Sequence, residues 1–155
     1  MPSTPTFAEV YAQRHRDVVR TAALITGSAP VGEEIAQEVF LRLYRDWDRI
    51  QSPLGWLRVA TVNACRSWQR RHILERSHAR AAPLVASQPD GLAVRDALNV
   101  LNHRQRTAIV LRYFCDLREA DIAEAIGCRP GTVKSLLARS LARLKEELVD
   151  RDPVA

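Results

Sequence analysis

Residues 120–144 read ADIAEAIGCRPGTVKSLLARSLARL, and this stretch decides the fold class. Its spacing predicts a short helix over about Glu119 to Ile126, a tight turn at Gly127, and a long basic helix that opens at Pro130 and ends near Glu147. Ile122, Ala123, Ile126, Val133, Leu137 and Leu141 take the inward positions. A small residue at 123 lets two helices cross closely, and glycine at 127 permits the left-handed backbone of a tight turn. An ordinary pair of antiparallel helices would satisfy the apolar pattern alone. Spacing, small residues and positive charge taken together favour a helix-turn-helix, whose second helix offers its N-terminal residues to base edges in a major groove.

Outward from this stretch the chain reads as helical throughout. Thr6 caps a first helix with Glu9 as its reciprocal partner. Phe7, Val10, Tyr11, Val18, Ala22 and Ile25 follow at helical spacing, and Gly27 stops the helix. A second helix spans about Pro30 to Trp47, with Ile35, Val39, Leu43 and Trp47 as its apolar stripe. A third opens at Ser52-Pro53 and buries Leu54, Leu57, Ala64 and Trp68, which leaves Arg58, Arg66 and Arg70 elsewhere on the cylinder. Periodicity fails after about His72, where Pro83, Pro89 and Asp90-Gly91 mark a linker. It resumes with Leu92, Ala97, Leu98 and Leu101. Asn102 and Gln105 then cap a helix carrying Ile109, Leu111, Tyr113 and Phe114. No alternating strand pattern occurs. The expected fold is all-α: a first domain over 1–75, a linker over 76–91 and a helix-turn-helix domain over 92–155.

The chain has 155 residues, 23 Lys+Arg against 18 Asp+Glu, and 46% hydrophobic residues, enough for a buried core. Two basic stretches carry no acid. One lies between Asp48 and Glu75 and holds Arg49, Arg58, Arg66, Arg70 and Arg71. The other runs from Gly127 to Leu144 and holds Arg129, Lys134, Arg139 and Arg143. Two such stretches fit a polyanion touched at two places, although solvated helix faces would read alike. No apolar run nears the roughly 18 residues of a membrane span, and the N-terminus lacks a signal pattern. Membrane insertion is therefore not expected. Cys65, Cys115 and Cys128 are an odd number spaced far apart and read as reduced thiols of a cytoplasmic protein.

Enzymatic readings find no support. His15, His72, His78 and His103 are scattered, and the chain has no HExxH, glycine-rich phosphate loop or nucleophile elbow. Cys115 and Cys128 stand 13 apart without a CxxC partner, so neither a metal nor a cofactor is expected.

The 102–144 stretch, NHRQRTAIVLRYFCDLREADIAEAIGCRPGTVKSLLARSLARL, resembles the promoter-reading region four of bacterial sigma factors. EEIAQEVFLRLYRDW (33–47) and GWLRVATVNACRSWQRR (55–71) resemble their region two. The short connection between them resembles the extracytoplasmic-function class. The resemblance implies a sigma factor that binds core RNA polymerase, through the β′ clamp and the β subunit, and recognises −35 and −10 promoter elements. An anti-sigma protein is a further implied partner. The resemblance assigns core-polymerase binding to Glu34, Gln37 and Glu38, and −10 strand binding to Trp56, Asn63, Arg66, Arg70 and Arg71. It assigns −35 binding to Thr132, Lys134, Ser135 and Arg139. The 49–52 segment, Arg49-Ile50-Gln51-Ser52, matches the loop that receives a flipped base. As residues alone, Trp68 reads as core and Trp56 equally as core or base platform, while Asn63 could serve a local backbone group. Offsets of one, four and five residues are read as placing Lys134, Ser135 and Arg139 on one side of the recognition helix.

Three departures from the family pattern stand out. Leu136 occupies a position often held by Arg, either reaching DNA or packing inward, and Leu136→Arg is expected to raise −35 affinity. Arg129 and Arg118 stand at helix caps where Ser or Thr is usual, so each helix lacks a side-chain cap oxygen, at about 0.5–2 kcal/mol. Two rivals make different demands. A stand-alone helix-turn-helix regulator would need a sensory domain before residue 92, and a helical adaptor would need no basic recognition helix.

Overall fold

The computed structural model describes residues 3–76, 94 and 96–151. The chain forms two compact units, Met1–Trp68 and Gln69–Ala155. The described elements are all helical. The expected 76–91 linker, with Pro83 and Pro89, and the Leu92 helix start lie outside the described residues, apart from Arg76.

In the first unit, helix α1 (Phe7–Thr26) starts where the sequence placed it. The Glu9 N–H donates to Thr6 Oγ1 at 3.2 Å and the Thr6 N–H donates to Glu9 Oε2 at 2.8 Å. Gly27 ends the helix at φ 79°, with its N–H on the Ala23 carbonyl. Helix α2 (Ala29–Arg45) follows at once, capped by Ser28 and opened by Pro30. Its Ile35, Val39, Leu43 stripe is fully buried. The stripe does not reach Trp47 as helix, because α2 ends at Arg45 and Trp47–Arg49 form a 3₁₀ turn. The Trp47 ring instead packs edge-on against Phe7, 5.7 Å between centroids. Tyr11, expected inward, is exposed and stacks between His15 and Phe7.

Helix α3 (Pro53–Arg76) buries Leu57, Ala60, Val62, Ala64 and Cys65. Leu54 was expected inside but is 39% exposed, and Trp68 is half-buried. Leu54 belongs to the first turn, before the helix enters the core. Thr61 is a buried hydroxyl satisfied by the Leu57 carbonyl at 2.6 Å. Burial pushes the Cys65 thiol up to about 12.

In the second unit, Leu98 and Leu101 are buried ahead of helix α4 (His103–Ile109). Asn102 and Gln105 form the expected capping box, at 2.9 and 3.2 Å. The helix widens into a π turn over Val110–Phe114, closed by the Cys115 N–H on the Val110 carbonyl. Asp116 then takes the left-handed backbone at φ 52°, a conformation that aspartate tolerates better than most residues. Helix α5 (Glu119–Ile126) leads through Gly127, at φ 81°, into helix α6 (Pro130–Arg151). Arg118 caps α5 with no side-chain cap bond, its guanidinium reaching Asp121 at 3.3 Å instead. Ile122, Ala123, Ile126, Val133 and Leu137 point inward as expected. Leu141 does not: it is 42% exposed, because α6 outruns the short helix it crosses.

Candidate nucleic-acid interface

Glu34, Gln37 and Glu38 are exposed on α2, opposite the buried Ile35–Val39–Leu43 stripe. At about 100° per residue, Leu41 projects between Gln37 and Glu38. It is 53% exposed, which makes this face polar with an apolar centre. A stripe read only at four-residue steps passes over Leu41.

On α3, Trp56, Asn63, Arg66 and Arg70 fall within an arc of about 80°, and Arg71 lies about 80° beyond Asn63. Asn63, Arg70 and Arg71 are exposed, and Trp56 and Arg66 are half-buried. Arg70 and Arg71 stand past the last residue of the first compact unit, on the final turns of this same helix. Arg42 of α2 lays its guanidinium over the Trp56 ring, 5.6 Å from the centroid. Beside Trp56 lies a depression of about 550 Å³, lined also by Asp46, Arg49, Ile50, Gln51 and Ser52. It takes in the whole 49–52 segment. Neither Arg42 nor Asp46 was legible as part of this site, because α2 and the 3₁₀ turn meet α3 only in the folded chain.

On α6, the buried residues Val133, Leu136, Leu137 and Ser140 occupy one side of the first three turns. Leu136 is only 8% exposed, so it packs and does not reach outward. Thr132, Lys134, Ser135 and Arg139 are all exposed. They do not share one quadrant. Thr132 and Arg139 stand within about 20° of each other on one flank, Ser135 nearer the middle, and Lys134 on the far flank, about 140° from Arg139. Ser135 Oγ donates to the Gly131 carbonyl at 3.3 Å, and Arg139 Nε donates to the Ser135 carbonyl at 3.4 Å. The outer face is therefore a polar strip with a cation on each flank, a width that suits a helix seated between two phosphate walls.

An apolar groove of about 370 Å³ also opens on the second unit, between Leu98, Ile109, Phe114, Leu141, Leu144 and Leu148. Among the described residues no helix is long and apolar enough to cross a membrane.

Comparison with known proteins decides what these surfaces belong to. Residues 10–73 match the sigma-70 region 2 family and residues 91–144 match the sigma-70 region 4 family. The RNA polymerase sigma-E factor of Streptomyces coelicolor is 31% identical over 155 residues, with 94% of this chain and 88% of that protein covered. The ECF RNA polymerase sigma factor SigM of Mycobacterium tuberculosis is 30% identical, with 89% and 74% covered.

The chain belongs to the extracytoplasmic-function sigma factors.

As a sigma factor it directs promoter-specific transcription by RNA polymerase, in a family of non-enzymatic regulators. Two solved structures share its fold. One is the sigma factor RpoE in complex with the anti-sigma factor NepR from Bartonella quintana, at TM-score 0.76 and 23% identity over 92% of this chain and 96% of that one. The other is CnrH in complex with the cytosolic domain of CnrY, at TM-score 0.73 and 19% identity over 94% and 88%. The matched regions place most of α1, all of α2 and most of α3 of this sigma factor in region 2, and α4, α5 and the first two-thirds of α6 in region 4.

Proposed function

We propose that the outer face of α2 docks on the clamp helices of the polymerase β′ subunit, that α3 captures the melted −10 strand, and that α6 reads the −35 duplex. Glu34, Gln37, Glu38 and Leu41 form the first surface: charged and amide groups ring an exposed apolar side chain, the pattern of a protein interface with a polar rim. Trp56, Asn63, Arg66, Arg70 and Arg71 form the second. A melted strand offers phosphates, exposed base faces and base edges, and this row supplies cations, an indole and an amide to match them. Thr132, Lys134, Ser135 and Arg139 form the third. The apolar groove between Leu98 and Leu148 supplies a seat for the β subunit.

The observation that carries this reading is the pairing of the acid-free cationic row on α3 with the polar outer strip of α6. Trp56, Asn63 and Arg66 belong to the first compact unit and the α6 strip belongs to the second, so two separated promoter elements can be engaged by one chain. The protein has no catalytic residues of its own, works in the cytoplasm with core polymerase and promoter DNA, and is held in check by an anti-sigma protein that covers these faces. The sigma factor RpoE, which shares this fold and was captured with the anti-sigma factor NepR, supports the last point. Co-purification with core polymerase followed by run-off transcription from a cognate promoter tests the whole. A chain that binds no core polymerase, or that binds it without conferring promoter preference, would overturn the reading.

A further inference from the structure

We propose that α6 leaves the −35 groove at Arg143, whose guanidinium binds a backbone phosphate at the groove's edge and sets the end of the DNA contact. The inference rests on the −35 reading of α6 and adds to it a residue and a boundary.

Arg143 closes the acid-free stretch of α6 and is exposed. At about 100° per residue it stands within about 20° of Thr132 and about 40° of Arg139, so the three form one row along the helix. Helical side chains lean toward the N-terminus, so Arg143 covers the turn between Arg139 and itself and reaches back toward the recognition strip. Arg139 Nε is drawn onto the Ser135 carbonyl. Arg143 has no hydrogen bond or ion pair among the described residues, although Glu146 and Glu147 follow three and four positions on. The same three-residue spacing does close the Arg14–Asp17 and Arg118–Asp121 pairs, at 3.8 and 3.3 Å.

The row changes sign just past Arg143. Glu146, Glu147 and Asp150 continue it, all within about 60° of Thr132. They are the first acids of α6, and Glu146 and Asp150 are exposed. Lys145 does not offset them on this flank, because it lies about 140° from Thr132, beside the apolar Leu141–Val149 surface. A carboxylate beside a phosphate backbone is repelled. The duplex therefore ends its contact with this row between Arg143 and Glu146.

Length agrees with charge. Helix α6 has 22 residues and runs for about 33 Å, against a major groove about 12 Å wide, so its rear half stands clear of the groove. With Thr132 seated in the groove, Arg143 lies about 16 Å further along the axis, where the helix passes the phosphate wall.

The experiment binds holoenzyme, assembled from core polymerase and the full chain, to promoter duplexes in which single −35 phosphates are replaced by uncharged methylphosphonates. Affinity is read at about 50 and about 200 mM salt. R143A changes an exposed position and should melt as the wild type does. It should weaken all −35 sequences alike and shrink the affinity lost between the two salts by about three- to fourfold, the scale of one phosphate contact. One methylphosphonate at the edge of the −35 element should weaken the wild type by the same factor and leave R143A unaffected. R143K keeps the charge and should restore the wild-type pattern. E146Q and D150N should change affinity by less than about twofold at the higher salt, where charges beyond the contact are screened. An unaltered salt dependence in R143A, a base preference altered at one −35 position, or equal methylphosphonate sensitivity in R143A and the wild type overturns the assignment. A gain in E146Q as large as the loss in R143A overturns the boundary. R139A is run in parallel: if it too leaves −35 affinity unchanged, the −35 reading of α6 itself falls.

Discussion

Gly32 and Ala23 meet at the crossing of α1 and α2 with no room for a methyl group. A Cβ on Gly32 would lie 2.9 Å from the Ala23 Cβ, 2.8 Å from the Ala23 nitrogen and 2.7 Å from the Val19 carbonyl oxygen. Two of these neighbours are backbone, so relief requires the helices to part. Gly32→Ala should therefore destabilise the first unit by about 1–3 kcal/mol, despite alanine's better helix propensity. Chemical denaturation measures it; a stabilised variant would show that the helices slide apart at little cost.

The α2 face should separate binding from folding. Glu38→Lys and Leu41→Asp change exposed positions, so each should alter stability by less than about 0.5 kcal/mol while abolishing association with core polymerase. Pull-down with core polymerase, paired with a thermal melt, reads both. A lost thermal transition would mark the face as structural.

Asn63→Ala should impair open-complex formation more than initial closed binding, because unpaired bases become available only after the duplex opens. Asn63 is exposed, so its fold contribution is small. Permanganate reactivity on matched and pre-melted promoters separates the steps. An equal loss on both templates would contradict a strand role.

The recognition helix gives a contrast between neighbours. Leu136→Arg, expected from the sequence to add a DNA contact, should instead unfold the second unit, by about 3 kcal/mol or more, since it places a charge in the core. Lys134→Ala and Arg139→Ala, on opposite flanks, should weaken all −35 sequences alike and each lower the salt slope by about one. Ser135, nearest the middle of the exposed strip, should be the position whose substitution changes base preference. Binding to single-base −35 variants at two salt concentrations checks all four.

Cys65 makes a pH prediction. Its thiol, normally ionising near 9.0, is pushed up to about 12 by burial. The unfolded chain loses this proton first, so the folded state should lose stability as pH rises from about 9 toward 12. Denaturation against pH should show that extra loss in the wild type and not in Cys65→Ala. Below pH 9 the native thiol should resist alkylation until the chain unfolds.

The local features of the fold were legible in the sequence because they are set within a few residues. Both capping boxes, Thr6–Glu9 and Asn102–Gln105, use side chains three apart, and Gly127 marks a backbone that other residues adopt with strain. Burial was harder to read, since periodicity gives the side of a helix and not the length over which a partner covers it. Leu54 and Leu141 lie on apolar stripes beyond that cover. The side taken by Leu136 stayed open in the sequence for a different reason: with Val133, Leu137 and Ser140 it completes an inward set at i, i+3, i+4 and i+7, and the serine disguised the pattern. The Arg42–Trp56 contact joins two elements, so no window of sequence contains it.

Ser140 is fully buried, yet its hydroxyl returns to the Leu136 carbonyl at 2.6 Å and asks nothing of the rest of the core. The inward set of α6 is thereby self-sufficient and shares no member with Thr132, Lys134, Ser135 and Arg139. Sites without common partners contribute nearly independently. Mutations that retune what the helix recognises can accumulate without passing through unfolded intermediates. A duplicated copy of this chain could thus acquire a new set of target genes by drift on one surface strip, its scaffold unchanged.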